Sequence, residues 1–135
     1  MKRDYLFYDV AKSVSKTSTH ERVSIGAILV LGKEIISVAC NENKSHPEQY
    51  RLNKFRFNDE NSDRCKNGIH AELKCILSCK EDDLSRAKLY VYREDRKGHI
   101  ANCRPCPACM EKIKETGIRD IYYTTEDGHA HERLK

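Results

Sequence analysis

Two runs decide how this chain is read: Ile69-His70-Ala71-Glu72 and, further on, Asn102-Cys103-Arg104-Pro105-Cys106-Pro107-Ala108-Cys109. Cys106 and Cys109 stand at a predicted helix start, where positions i and i+3 share a face and both sulfurs reach one ion. The positive end of the helix dipole lowers a thiol's pKa and so favours the thiolate that a metal needs. Pro107 suits the first turn, where its missing N–H has no intrahelical partner. A Cys-x-x-Cys pair also suits thioredoxin-like redox chemistry, but that motif follows an early strand of its domain and this one sits late. His70 opens a second predicted helix. With Cys106 and Cys109 it supplies three ligands of the types zinc prefers, leaving a fourth tetrahedral position for water. Glu72, offset by two residues, can face that water without binding the ion. Three ligands, an open position and an unligated carboxylate are what metal-assisted hydrolysis requires. Cys103 is the residue that could instead close the tetrahedron and make the site structural.

Outward from these runs, regular elements alternate. Phe7, Val10, Ala11 and Val14 recur at helical spacing, so residues 4–15 read as an amphipathic helix. Val23 to Leu31 is a near-continuous, β-branched apolar run that suits a buried strand. Gly32-Lys33 is a turn of the Gly-X type, and Ile35 to Ala39 returns as a second strand. Residues 44–66 are charged, with Tyr50, Phe55 and Phe57 interspersed, and read as either a solvated surface insertion or a substrate-covering segment. A helix from His70 to about Lys80, a strand from Lys88 to Arg93, a helix from Cys106 to Thr116 and a strand from Asp120 to Thr124 follow. Gly117 marks the end of the second of these helices. Two strand–helix–strand crossovers after a hairpin predict an α/β fold with a mixed sheet and helices on both faces. Glu126 to Lys135 is polar and is expected to be loosely attached.

Composition sets the outer bounds. The chain has 135 residues, which fits one domain spanning 1–135. Its formal charge of +4 excludes an acidic solvating protein and suits an anionic ligand. No stretch approaches the roughly 20 apolar residues of a membrane span. The opening residues lack the apolar run of a secretory signal, and the seven cysteines are an odd number. Both features argue for an intracellular, cytoplasmic chain carrying thiols or metal ligands, not a disulfide framework.

His70-Ala71-Glu72 followed by Pro105-Cys106-x-x-Cys109 matches the zinc deaminase signature, His-x-Glu followed by Pro-Cys-x-x-Cys. On these residues the chain resembles the cytidine/deoxycytidylate deaminase superfamily, from the Gly26-Ala27-Ile28-Leu29 strand to Ile121-Tyr122-Tyr123. The resemblance implies a three-layer α/β/α sandwich with zinc between two helix N-termini. It also implies that His70, Cys106 and Cys109 are the ligands and Glu72 the proton shuttle. The reaction implied is hydrolytic deamination, in which a zinc-activated water attacks C4 of a cytosine and Glu72 helps protonate the departing ammonia. The backbone groups of Ala71 and Cys106 are placed to orient a substrate oxygen.

Within the superfamily, His as the leading ligand resembles the deoxycytidylate, RNA-editing and polynucleotide branches more than the free-cytidine branch. Asn41, in Ala39-Cys40-Asn41-Glu42-Asn43-Lys44-Ser45-His46-Pro47, is similar to the family residue that contacts the sugar hydroxyl; Asn43 is the competing candidate, and a plain turn residue the alternative. That run looks like small virus- and phage-type deoxycytidylate deaminase-like members. Cys103-Arg104 before Pro105, and Gly68-Ile69 before His70, depart from the tRNA adenosine deaminases. Arg104 suits either a substrate phosphate or a surface ion pair. The reading is therefore deamination of a pyrimidine nucleotide of the dCMP or CMP type. An alternative is deamination of cytosine or adenine in RNA or single-stranded DNA, with Tyr50, Phe55, Phe57, Tyr92 or Tyr123 stacking on bases. A further one is a non-catalytic zinc-stabilised binding module. Cys75 and Cys79, with His46 and Cys65, suit either a second, structural zinc or simple packing. Cys40 reads as core, and a homo-oligomer is expected because a small sheet leaves apolar faces to cover.

Overall fold

The structure, a computed structural model, describes residues 2–18, 24–42, 46–52, 69–95 and 97–134. Its elements in chain order are α1 (Lys2–Ser15), β1 (Ser24–Leu31), β2 (Glu34–Cys40), α2 (Pro47–Leu52), α3 (Ala71–Ser78), β3 (Ala87–Glu94), α4 (Pro107–Thr116), β4 (Asp120–Thr125) and β5 (Gly128–Arg133). The strands form one five-stranded sheet in the order β2-β1-β3-β4-β5. β1 runs antiparallel to both β2 and β3, β3 and β4 are parallel, and β4 and β5 form an antiparallel hairpin. The sheet is mixed, as expected.

The apolar run of β1 is continuous because both its faces are covered. Ala27 and Leu29 enter one core with Ala71, Cys75 and Ile76 of α3 and Met110 and Ile113 of α4. Ile28 and Val30 enter the other with Tyr8 and Ala11 of α1. Alternate residues thus feed alternate layers, which is the three-layer α/β/α arrangement. Leu31 pairs with Glu34 across the turn, and Gly32 has φ +65° while Lys33 stays at negative φ, as a Gly-X hairpin turn requires. α1 approaches β1 so closely at Gly26 that a Cβ there would lie 2.2 Å from the Ala11 carbonyl oxygen and 2.5 Å from the Ser15 nitrogen.

Two segments differ from their sequence expectation. The end of the chain is not loose: Gly128–Arg133 is strand β5, and the expected strand 120–124 is the inner half of that hairpin. Its residues read as polar because an edge strand is half exposed, with alternate side chains outward. It is held by side-chain interactions that composition does not reveal. His131 stacks on Tyr122 at 4.3 Å between ring centroids, and His129 stacks on Tyr8 of α1 at 3.9 Å. The Tyr8 hydroxyl also donates to the Ala130 carbonyl at 3.1 Å. Second, residues 47–52 of the charged 44–66 segment form helix α2, with Leu52 fully buried against Ala108 and Cys109 of α4. Asn43, Phe55, Phe57 and Cys65 lie outside the described residues, as does the side chain of Tyr50. Among the described residues, no helix is long and apolar enough to cross a membrane.

Candidate active site

β2–α3–β3 and β3–α4–β4 are the two crossovers, and they set the starts of α3 and α4 side by side at one end of the sheet. His70 is the N-cap of α3, with φ −76° and ψ 151°, and Cys106 is the N-cap of α4, with φ −66° and ψ 166°. N-cap positions favour Ser, Thr, Asp or Asn, whose side chains bond back to the helix. Neither His70 nor Cys106 makes such a bond. The two cap side chains approach each other across the helix starts.

His70 Nδ1 lies 3.5 Å from Cys106 Sγ and 3.4 Å from Cys109 Sγ. Tetrahedral zinc, with Zn–S near 2.3 Å and Zn–N near 2.0–2.1 Å, sets its N···S edges at about 3.5 Å. These separations fit the ion. The ligand atoms of the three residues all lie within 4.8 Å of one another, and they form the one such group of three or more among the described residues. A hydrogen bond from the Cys109 thiol, with the nearby His70, holds the Cys106 thiol down at about 4, the direction a thiolate ligand needs.

Glu72 sits in the first turn of α3 and is buried, 5% exposed. Its Oε1 has no hydrogen-bond partner among the described residues. Burial pushes its carboxyl up, opposed by the neighbouring His70. A buried carboxylate oxygen left without a donor is costly unless something absent from the chain itself meets it. His70, Cys106 and Cys109 would hold a metal whose bound water would be such a partner.

Cys103 does not join this group. It is buried with its Sγ 3.1 Å from Thr124 Oγ1 and 3.4 Å from the Val91 carbonyl, and burial pushes its thiol up to about 12. Cys103 as a fourth ligand is therefore corrected: among the described residues the group consists of His70, Cys106 and Cys109. Cys75 lies in the core, its thiol also pushed up to about 12 by burial, and Cys79 packs at the edge of that core. His46 is exposed, its Nδ1 accepting from the Glu48 N–H at 3.0 Å. These three form no metal group among the described residues.

The candidates for substrate contact separate. Ala71 is the buried first residue of α3, beside the ligands. Asn41 follows β2, and its Oδ1 accepts from the Ile25 N–H at 2.9 Å and the Ser18 hydroxyl at 2.6 Å. The next residue, Glu42, donates its N–H to the Ile69 carbonyl, which brings this strand end against the His70 turn. Tyr123 lies on the α3–α4 side of the sheet with its hydroxyl donating to Glu132 at 2.6 Å. Arg104 is paired with the same Glu132. Tyr92 lies on the α1 side, away from the ligands, so it does not serve as a stacking residue there.

One participant was missed. Gln49 of α2 is 1% exposed, and its Oε1 accepts the His70 N–H at 3.0 Å. Pro47 followed by Glu48 is a helix-start signal that could have revealed α2.

A model of the cytidine and deoxycytidylate deaminase zinc-binding region matches residues 1–125. The chain belongs to this family. It is 26% identical over 132 residues to the deoxycytidylate deaminase of Mycobacterium phage D29, an alignment covering 91% of this chain and 94% of that protein. The fold matches the dCMP deaminase of cyanophage S-TIM5 crystallised with dCMP and dUMP, with TM-score 0.62, 21% identity, and coverage of 92% of this chain and 82% of that one. It also matches the cytidine deaminase of Burkholderia pseudomallei, with TM-score 0.65, 14% identity, and coverage of 96% and 91%. The deaminase family and its zinc-binding region thus agree with the His/Cys/Cys group found in the fold.

Proposed function

We propose that this family member is a zinc-dependent deaminase of a pyrimidine nucleotide, converting the cytosine of a dCMP- or CMP-type substrate to uracil. The observation that carries this reading is the buried Glu72 oxygen, without a hydrogen-bond partner among the described residues, close to the three ligand atoms of His70, Cys106 and Cys109. A structural zinc module needs four protein ligands and no such carboxylate. The phage deoxycytidylate deaminase relative supports a nucleotide as substrate.

His70, Cys106 and Cys109 would hold the zinc, which supplies Lewis acidity that brings a water's pKa toward about 7. Glu72 takes a proton from the water that adds at C4 and delivers it to N3. A further proton transfer to the exocyclic amine lets the C4–N4 bond break, so cytosine and water become uracil and ammonia. Burial of Glu72 suits a carboxyl that must carry a proton for part of this cycle. Asn41, at the strand end beside the His70 turn, is the candidate for the sugar hydroxyl.

Ammonia release from zinc-loaded protein, assayed across nucleosides, monophosphates, triphosphates and oligonucleotides, tests the substrate class. Turnover of monophosphates is expected; activity confined to oligonucleotides would sink it. Glu72→Ala is expected to keep zinc and fold while losing turnover by at least about a thousandfold. Unchanged turnover in that variant defeats the mechanism.

A further inference from the structure

We infer that Gln49 is a positioning residue for the metal site, and that α2 works as a clamp joining the two helix starts that carry the ligands. The inference rests on the reading of His70, Cys106 and Cys109 as metal ligands. An N-cap residue's own N–H is one of the helix's orphan donors. In a capping box it is met by a Glu or Gln side chain three residues on. In α3 that position is Leu73, whose hydrocarbon side chain has no acceptor. Gln49 serves instead, from another helix, with its Oε1 on the His70 N–H at 3.0 Å. The same short helix is fixed to α4. Leu52 shares a buried apolar cluster with Ala108 and Cys109, Glu48 accepts from Lys112 Nζ at 3.1 Å, and Arg51 reaches Glu115 at 3.1 Å.

α2 therefore holds the backbone of one ligand, His70, and shares a buried cluster with another, Cys109 of α4. A fully buried glutamine is an expensive way to fill space, since its amide must find partners inside the protein. Its placement at a ligand's backbone gives that cost a use. Fixing the His70 N–H sets the direction in which the imidazole leaves the α3 cap. Outer partners of metal ligands commonly change metal affinity by 10–100-fold when removed.

The test uses the full chain loaded with zinc or with cobalt(II). Gln49→Met keeps the volume and removes the acceptor; Gln49→Glu keeps an acceptor at the same reach. Gln49→Met is expected to lose zinc to a chromogenic chelator at least about tenfold faster than the parent and to shift the cobalt d–d bands. Gln49→Glu is expected to restore the parental loss rate and spectrum. Parental behaviour in Gln49→Met, or equal loss in Gln49→Met and Gln49→Glu, overturns the clamp. Should Gln49→Met not fold, Gln49→Asn withdraws the acceptor by one methylene and is judged by the same two outcomes. These readouts need no turnover, so a failure of the deaminase assignment, read from Glu72→Ala, stays distinct from a failure here.

Discussion

Arg104 is held by Glu132 in a two-pronged ion pair, its Nε on Oε1 and its Nη2 on Oε2 at 3.1 Å. The Tyr123 hydroxyl donates to the same Oε1. The Arg104 contact lowers the Glu132 carboxyl, with Tyr123 adding to it. Two of the five guanidinium N–H groups are thereby engaged by a residue of the chain itself.

The expected role of Arg104 is accordingly to tie the loop before Cys106 to strand β5. Arg104→Ala should lower stability by about 0.5–1 kcal/mol, the scale of a half-exposed bidentate pair. KM for a nucleoside monophosphate should stay within about twofold, as should KM for the matching nucleoside. Thermal melting and steady-state kinetics on both substrates check this. A KM rise confined to the monophosphate would give Arg104 back to the phosphate.

Gly26 is fixed by sterics, not by a turn. A Cβ at 2.2 Å from the Ala11 carbonyl oxygen meets backbone, which no side-chain rotation relieves. Gly26→Ala should push α1 off β1 and destabilise by about 3 kcal/mol or more, at the upper end of overpacking costs. Denaturant unfolding measures it. Gly32→Ala offers the contrast, because nothing lies within 4 Å there and the cost comes only from φ +65°.

What could be read beforehand followed short-range rules. The hairpin needs one glycine and two β-branched runs, and Cys106, Pro107 and Cys109 combine helix-start chemistry with a ligand spacing. His70 and Glu72 gained meaning only when joined to that motif. β5 escaped because an edge strand of polar residues has the composition of a tail; its order comes from Tyr8, Tyr122 and Asp120, distant in sequence or on the partner strand. Gln49 escaped for a related reason. In a stretch rich in charge its amide looks like any surface group, and only tertiary packing buries it.

Glu48 gives the acid limb of stability a local source. Hydrogen bonds from Arg51 and then Lys112 hold its carboxyl at about 2, against an ordinary 4.5. A carboxyl depressed by folding contributes stability fully above its unfolded value and loses it as pH falls through the folded one. The contribution of Glu48 should thus be whole above about pH 4.5 and vanish toward pH 2. Melting temperatures of the parent and Glu48→Gln should differ most near neutrality and converge below about pH 3. A gap independent of pH would mean that Glu48 acts by packing alone.

Zinc content tests the division of labour among the cysteines near α4. Cys103 is spent on Thr124 and the Val91 carbonyl and stands outside the His70, Cys106 and Cys109 group. Cys106 is held down at about 4 next to His70 and Cys109. Cys103→Ala should therefore retain one zinc per chain, at a stability cost of about 1 kcal/mol for the lost packing and hydrogen bond. Cys106→Ala should lose the ion, because two protein ligands do not hold zinc against competing chelators. Native mass spectrometry of each variant counts the ions directly. Loss of zinc on removing Cys103 would close the tetrahedron with protein and take away the position a reacting water needs.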